Sequence, residues 1–178
     1  MTTQDLVTVY LYSILAQVSR FQKPVEVADF SFNGASLENT WVKKLPVSTA
    51  CPCGDPTGTT LPLSACCGRY HAGPEHLRAP GAEALMRSRY SAYVLGLTDY
   101  LLATWHPSTR PTSMDADTPG LTWLGLQVRS HEVHDATHAS VDFVARSKQG
   151  GRAQRMQEKS RFVCESGFWF YLDGEVQR

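Results

Sequence analysis

The chain has 178 residues, long enough for one main domain with a small appendage. Hydrophobic residues make up 42% and charged residues 19%, with four Trp, seven Tyr and seven Phe, which excludes a disordered chain and predicts a folded soluble protein. Lys and Arg total 17 against 17 Asp and Glu, so no whole-chain excess of positive charge drives binding to phosphate backbones, and there is no clear nucleic-acid signal.

The most apolar stretch, Leu6 to Val18, contains Thr8, Ser13 and Gln17 and falls short of the roughly 20 apolar residues that cross a bilayer. Only Asp5 is charged before it, so the basic start of a secretory signal is missing, and a cytoplasmic protein off the membrane is expected. Residues 1–50 read as a poorly defined or disordered extension, with a short helix from Asp5 to Val18 and a weak hairpin signal at Asn33-Gly34. Next comes a cysteine segment broken by Gly54, Pro56, Gly58 and Pro62, a loop composition.

From Ala82, residues Met86, Tyr90, Tyr93, Val94 and Leu97 fall at helical spacing, with Gly96 as the stop. Thr98 is placed to cap a second helix carrying Tyr100, Leu101, Leu102 and Trp105, which Pro107 ends. Residues 107–120 read as loop. Four strands are then predicted, at Leu121 to Val133, Thr137 to Arg146, Arg152 to Cys164 and Phe168 to Leu172, joined by turns at Gln149-Gly150-Gly151 and Glu165-Ser166-Gly167. Short turns imply antiparallel neighbours, and Ala139, Val141, Phe143 and Ala145 share one face of their strand. Helices followed by a meander predict an α+β fold.

Cys51, Cys53, Cys66 and Cys67 lie within 17 positions, too clustered for the dispersed pairs of a disulfide scaffold. Four thiolates complete the tetrahedral sulfur shell that structural Zn²⁺ prefers and leave no open position for catalysis. The ion would act as the core of a loop too small to build one, supplying on the order of 10 kcal/mol of folding free energy. His71 is an alternative ligand. Ordinary reduced thiols, or a redox pair with a strained Cys66-Cys67 disulfide, are the competing reading. The knuckle is expected to unravel without its cysteines while the later domain stays folded.

The runs Cys51-Pro-Cys53-Gly54 and Cys66-Cys67-Gly68-Arg69-Tyr70-His71-Ala72-Gly73 resemble the SEC-C zinc motif, also found at the tail of the SecA translocation ATPase. Ala84-Leu-Met-Arg-Ser-Arg-Tyr-Ser-Ala-Tyr-Val-Leu-Gly96 and Tyr100-Leu-Leu-Ala-Thr-Trp-His-Pro-Ser-Thr109 resemble the YchJ-like family of uncharacterised bacterial proteins. The gap between the cysteine pairs is longer than is usual for the motif. The resemblance implies a zinc knuckle at residues 51–73. It further implies a nuclear-transport-factor-2-like (NTF2-like) domain at residues 81–174, with helices packed on a curved antiparallel sheet around a cone-shaped cavity. It brings no established reaction, and this fold hosts enzymes and binding modules alike.

Outside the cysteines, strand alternation puts Met156, Glu158, Ser160, Phe162 and Cys164 on one face, so Glu158 is a carboxylate among apolar neighbours. Such a group can serve as a general acid or base, with Tyr90, Tyr93, Trp105, His106 and Trp123 lining the same cavity. The more ordinary role is a structural ion pair, with Arg87 or Arg89 as partner, or a rim position reached through a bulge. Those two arginines, i and i+2, do not share a helix face; they can hold an anion or serve as solvated and intramolecular charge. Trp169 and Tyr171 can line a ligand cavity as well, although such aromatics more often fill the core; Cys164 reads as a small buried apolar residue, and His131, His134 and His138 as turn residues rather than ligands. The expected function is that of an adaptor whose zinc knuckle docks on another protein, with a small-molecule cavity in the larger domain. The alternative is an isomerase- or dehydratase-like enzyme using the cavity for acid and base chemistry.

Overall fold

A computed structural model describes residues 49–54, 60–114 and 118–177. The chain divides into two compact units, Met1–Pro46 and Val47–Arg178, and every described element belongs to the second. The helix at Asp5 to Val18 and the Asn33-Gly34 turn lie outside the described residues.

The second unit opens with a knuckle. Its two arms pair in antiparallel fashion at Ala50 and Pro62, Cys51 N–H donating to Leu61 O at 2.8 Å and Leu63 N–H to Thr49 O at 2.7 Å. A 3-10 turn at Leu63–Ala65 and one short helix, α1 (Gly68–His71), complete it. Helix α2 (Ala82–Leu95) stops at Gly96, whose φ of 67° is the left-handed cap that glycine adopts without a Cβ clash. Helix α3 (Thr98–Ala103) follows at once. Its N-cap is Leu97 rather than Thr98, because the left-handed Gly96 already turns the chain and Thr98 starts inside the first turn. Trp105 lies beyond this helix, in a parallel bridge to Tyr171, with His106 N–H donating to Tyr171 O at 2.8 Å.

The sheet is an antiparallel meander in the order β1 (Leu121–Val133), β2 (His138–Gln149), β3 (Arg152–Glu165), β4 (Phe168–Gln177). Gly150 and Gly151, both at positive φ, close the β2–β3 hairpin, and Ser166 and Gly167 close β3–β4. These two-residue turns carry the twist that antiparallel strands need. Ala139, Val141, Phe143, Ala145, Glu158, Ser160, Phe162 and Tyr171 are buried. Val144 and Ser140 are also buried on the opposite face of β2. Val144 lies in register between Gln127 and Gln157, whose long side chains flank it, and the Ser140 hydroxyl is held by His134 and Glu132.

Helix α2 packs on β1, β2 and β4 on one side and on α1 and α3 on the others. This explains why it is buried nearly all round, small polar Ser88 and Ser91 included. The core is therefore continuous from knuckle to sheet through one helix. Among the described residues, no helix is long and apolar enough to cross a membrane.

Candidate metal centre and buried acid

The backbone pairing of the knuckle's two arms brings Cys51 and Cys53 against Cys66 and Cys67. The four sulfurs lie within 4.8 Å of one another, with Cys53 and Cys67 buried. Neighbouring pairs stand at 3.5 Å (Cys51 and Cys53), 3.6 Å (Cys53 and Cys66) and 4.0 Å (Cys66 and Cys67). A tetrahedral Zn–S4 centre with bonds of about 2.3 Å has sulfur–sulfur edges of about 3.8 Å, so the cradle has the size of the ion. All five cysteines of the chain are free thiols.

The electrostatics of the four thiols point the same way. Hydrogen bonds from Cys53 and Cys67 favour the Cys51 thiolate and hold its pKa far below the ordinary value. Once that charge is present the others resist ionising. Cys53 is pushed up to about 12 chiefly by its hydrogen bond to Cys51. Burial, and then the Cys51 charge, raise Cys66. Hydrogen bonds to Cys51 and Cys53, and then burial, raise Cys67. A divalent cation supplies the charge that lets all four ionise together, releasing protons as it binds. The donor set fits a structural zinc ion.

His71 does not join this cluster. It is buried, its Nε2–H donates to Ser88 O at 2.9 Å, and its ring meets Tyr100 edge-on at 4.6 Å. Burial lowers its pKa, so it is a neutral pin between α1 and α2. Three more contacts seat the knuckle on α2. The Arg87 guanidinium donates to Gly54 O at 2.8 Å and Cys53 O at 3.4 Å while pairing with Glu83 one turn earlier. The Ser91 hydroxyl lies 3.6 Å from Cys51 Sγ.

A second polar cluster occupies the interior between α2 and the sheet. Glu158 is 4% exposed, and its Oε1 accepts from Ser160 Oγ at 2.6 Å and from Tyr171 OH at 3.1 Å. Burial raises its pKa, with the two hydroxyls and then the Arg89 charge pulling the other way. The expected ion pair is not made: among the described residues, no cation reaches ion-pair distance of Glu158. Arg87 is turned to the knuckle. Arg89 instead donates to Leu101 O at 2.7 Å and Thr104 Oγ1 at 2.8 Å, and lies over the rings of Trp105 (5.2 Å) and Tyr171 (4.7 Å). The two arginines point apart because i and i+2 lie on different helix faces.

Of the other predicted cavity residues, Tyr93 sits in the field of both Arg89 and Glu158, with burial of its hydroxyl as the main cause of a raised pKa. Trp105 is buried and meets Tyr171 edge-on at 5.0 Å; its Nε1–H has no hydrogen-bond partner. Tyr90, raised to about 12 by burial, bonds to the Gly125 backbone and packs on Trp123 at 5.6 Å. His106 is held elsewhere, by Ser108 at 2.6 Å and Glu165 at 3.2 Å, with Phe170 beside it. His131, His134 and His138 face Glu83, Ser140 and Asp135 respectively and form no metal group.

Sequence reasoning missed Ser88 and Ser91 as buried residues, and also Gly174; it named Arg89, but as a partner of Glu158 rather than of Leu101 O and two aromatic rings. A Cβ on Gly174 would lie 2.0 Å from Glu158 Oε1, so this position on β4 is open only to glycine while the carboxylate occupies its place. The available signal was an isolated glycine in a strand, which marks a close approach.

Comparison with known proteins agrees with this architecture. Residues 81–174 match the model of the YchJ middle NTF2-like domain. A UPF0225 protein of Bordetella parapertussis is 53% identical over 137 residues, covering 76% of this chain and 100% of that protein. One from Polaromonas naphthalenivorans is 56% identical over 137 residues, covering 72% and 98%. The solution structure of a SEC-C motif containing protein from Rhodopseudomonas palustris aligns with a TM-score of 0.60 at 33% identity, over 73% of this chain and 100% of that one. The crystal structure of a SEC-C motif containing protein from Psychrobacter arcticus aligns with a TM-score of 0.61 at 32% identity, over 74% and 85%. With the cysteine cradle, the helix-on-sheet domain and these relatives in agreement, the chain belongs to the YchJ-like, UPF0225 family.

Proposed function

We propose that residues 51–73 form a structural zinc knuckle that presents a rigid surface to another protein, held on a domain with a ligand-sized interior. The observation that carries the zinc reading is the cradle of four sulfurs within 4.8 Å. Docking, rather than catalysis, is the role a closed four-sulfur shell supports, because it leaves no position for substrate or water. Reducing conditions, as in the cytoplasm, keep such thiols available to metal. Elemental analysis of protein purified without added metal is expected to find one zinc per chain. Affinity capture with metal-loaded and metal-stripped protein is expected to retain a partner only in the loaded form. A zinc ratio near zero, with Cys66 and Cys67 joined as a disulfide, overturns the reading.

The buried acid supports a second reading, in which the interior of the domain binds or transforms a small molecule. Glu158 beside the Tyr171 hydroxyl, with its pKa raised by burial, is the arrangement of a proton donor or acceptor. The unpartnered Trp105 Nε1–H nearby is a donor awaiting an acceptor. Register shifts at Trp123/Gly125, Val128/Ser130 and Arg161/Phe162 are irregularities of the kind that bend strands, which favours a curved sheet around such an interior. A small-molecule screen by ligand-observed NMR, run on wild type and Glu158→Gln, separates the readings. A ligand lost on substitution supports this one, and no ligand for either protein counts against it.

A further inference from the structure

The zinc reading leaves open what holds the centre's excess charge. Four thiolates around one divalent ion carry a net charge of −2, and such centres are tuned by donors outside the ligand set. The knuckle's own loop does not supply all of them. Helix α2 engages the knuckle at three points: the Arg87 and Ser91 side chains, at i and i+4 on one face of the helix, and the Ser88 backbone carbonyl, which accepts from His71.

Ser91 is the telling member of the three. It is fully buried, and a buried hydroxyl needs a partner. Its partner is Cys51 Sγ at 3.6 Å, forty residues away in sequence. A thiolate bound to metal has no proton to give, so in the loaded centre the hydroxyl donates and the sulfur accepts. That bond is charge-assisted, stronger than one between neutral groups. Arg87 adds a positive charge against the carbonyls of Cys53 and Gly54, on the same loop.

We propose that Ser91 and Arg87 of helix α2 are positioning residues of the metal centre, setting its affinity by donating to the Cys51 thiolate and by clamping the Cys53-Gly54 turn. This rests on the zinc reading. The NTF2-like domain thereby completes the outer shell of a centre whose ligands lie entirely outside it.

The test is the zinc dissociation constant of the full chain, measured by competition with a chromophoric chelator. Ser91→Ala removes the hydroxyl without adding volume. It is expected to weaken zinc at least about tenfold, the usual scale for an outer-shell partner. In the cobalt-substituted protein the thiolate charge-transfer band is expected to move to longer wavelength, because a sulfur without its donor gives up an electron more readily. Metal-stripped Ser91→Ala is expected to melt with metal-stripped wild type. Arg87→Gln, on the outer end of the same stripe, is expected to weaken zinc independently and serves if Ser91→Ala folds too poorly to titrate. Unchanged zinc affinity in either variant overturns the proposal, as does a loss of stability in the stripped Ser91→Ala protein matching the loss of affinity. Wild type that binds no zinc overturns the metal reading itself, an outcome distinct from these.

Discussion

Two hydroxyls, from Ser160 and Tyr171, donate to one oxygen of Glu158, and among the described residues no cation comes to ion-pair distance. The environment therefore treats the carboxyl as an acceptor more than as a charge. Its folded pKa is raised above the ordinary 4.5 by burial. Folding thus favours the protonated form, so stability is full below about pH 4.5 and is lost as pH rises through the folded value. Glu158→Gln keeps an acceptor for both hydroxyls and removes the ionisation. It is expected to melt above wild type at pH 8, with the gap closing as pH falls towards 4.5. Differential scanning calorimetry at both pH values checks it, and a lower melting temperature at pH 8 would show that ionised Glu158 is stabilising. The sequence made the burial of this carboxylate legible, since Glu158, Ser160 and Phe162 alternate on one face. It could not show the absence of the ion pair. That depends on Arg89 spending its guanidinium on the Leu101 carbonyl and two aromatic rings, brought together only by the α3 turn and by β4.

At the scale of elements, periodicity and turn chemistry sufficed for most of the meander. Gly150-Gly151 and Ser166-Gly167 fix two hairpins, and the β2 alternation marks its buried side. The end of β4 was not legible. The strand is expected over Phe168 to Leu172, yet it continues to Gln177, with Gly174 in register with Ser160 and Val176 with Glu158. Gly174 lies in the strand to admit a neighbour's side chain. The sequence also gave α2 no visible second buried face, since serines in a helix resemble solvent positions. Ser91 is buried because the cysteine loop covers it, and Ser88 because its hydroxyl bonds Leu85 O of its own helix and Tyr100 OH of α3. The space argument at Gly174 is testable. Gly174→Ala places a methyl within 2.0 Å of Glu158 Oε1 and is expected to cost about 1–3 kcal/mol as overpacking. In a Glu158→Ala background the same change is expected to cost much less, a coupling that a double-mutant cycle in urea reads directly. Equal costs in both backgrounds would mean the strain arises elsewhere on β4.

Across the whole described unit, the cysteine cluster and the sheet share one helix. One stripe of α2 holds the cysteine loop through Arg87 and Ser91, and other faces carry Arg89 and Tyr90 into the packing against the sheet. The sequence suggested an appendage that could unravel alone, since each segment has its own pattern and no periodicity reveals that a helix is buried twice. Loss of the knuckle would expose buried Ser91 and strip Tyr100 of its ring contact with His71, so the later domain should not remain indifferent to it. An ion that binds only the folded chain stabilises by an amount that grows with occupancy, about 4 kcal/mol at a thousandfold excess over its dissociation constant. Chelation is therefore expected to lower the melting temperature of the Val47–Arg178 unit as a whole, in one transition. Tryptophan fluorescence, to which Trp105, Trp123 and Trp169 beside or within the sheet contribute along with Trp41 outside the described residues, should move together with far-ultraviolet circular dichroism. Restoring zinc should restore both signals in parallel. If chelation leaves the fluorescence transition in place while only a small part of the dichroism is lost, the knuckle unfolds by itself and α2 does not transmit its loss.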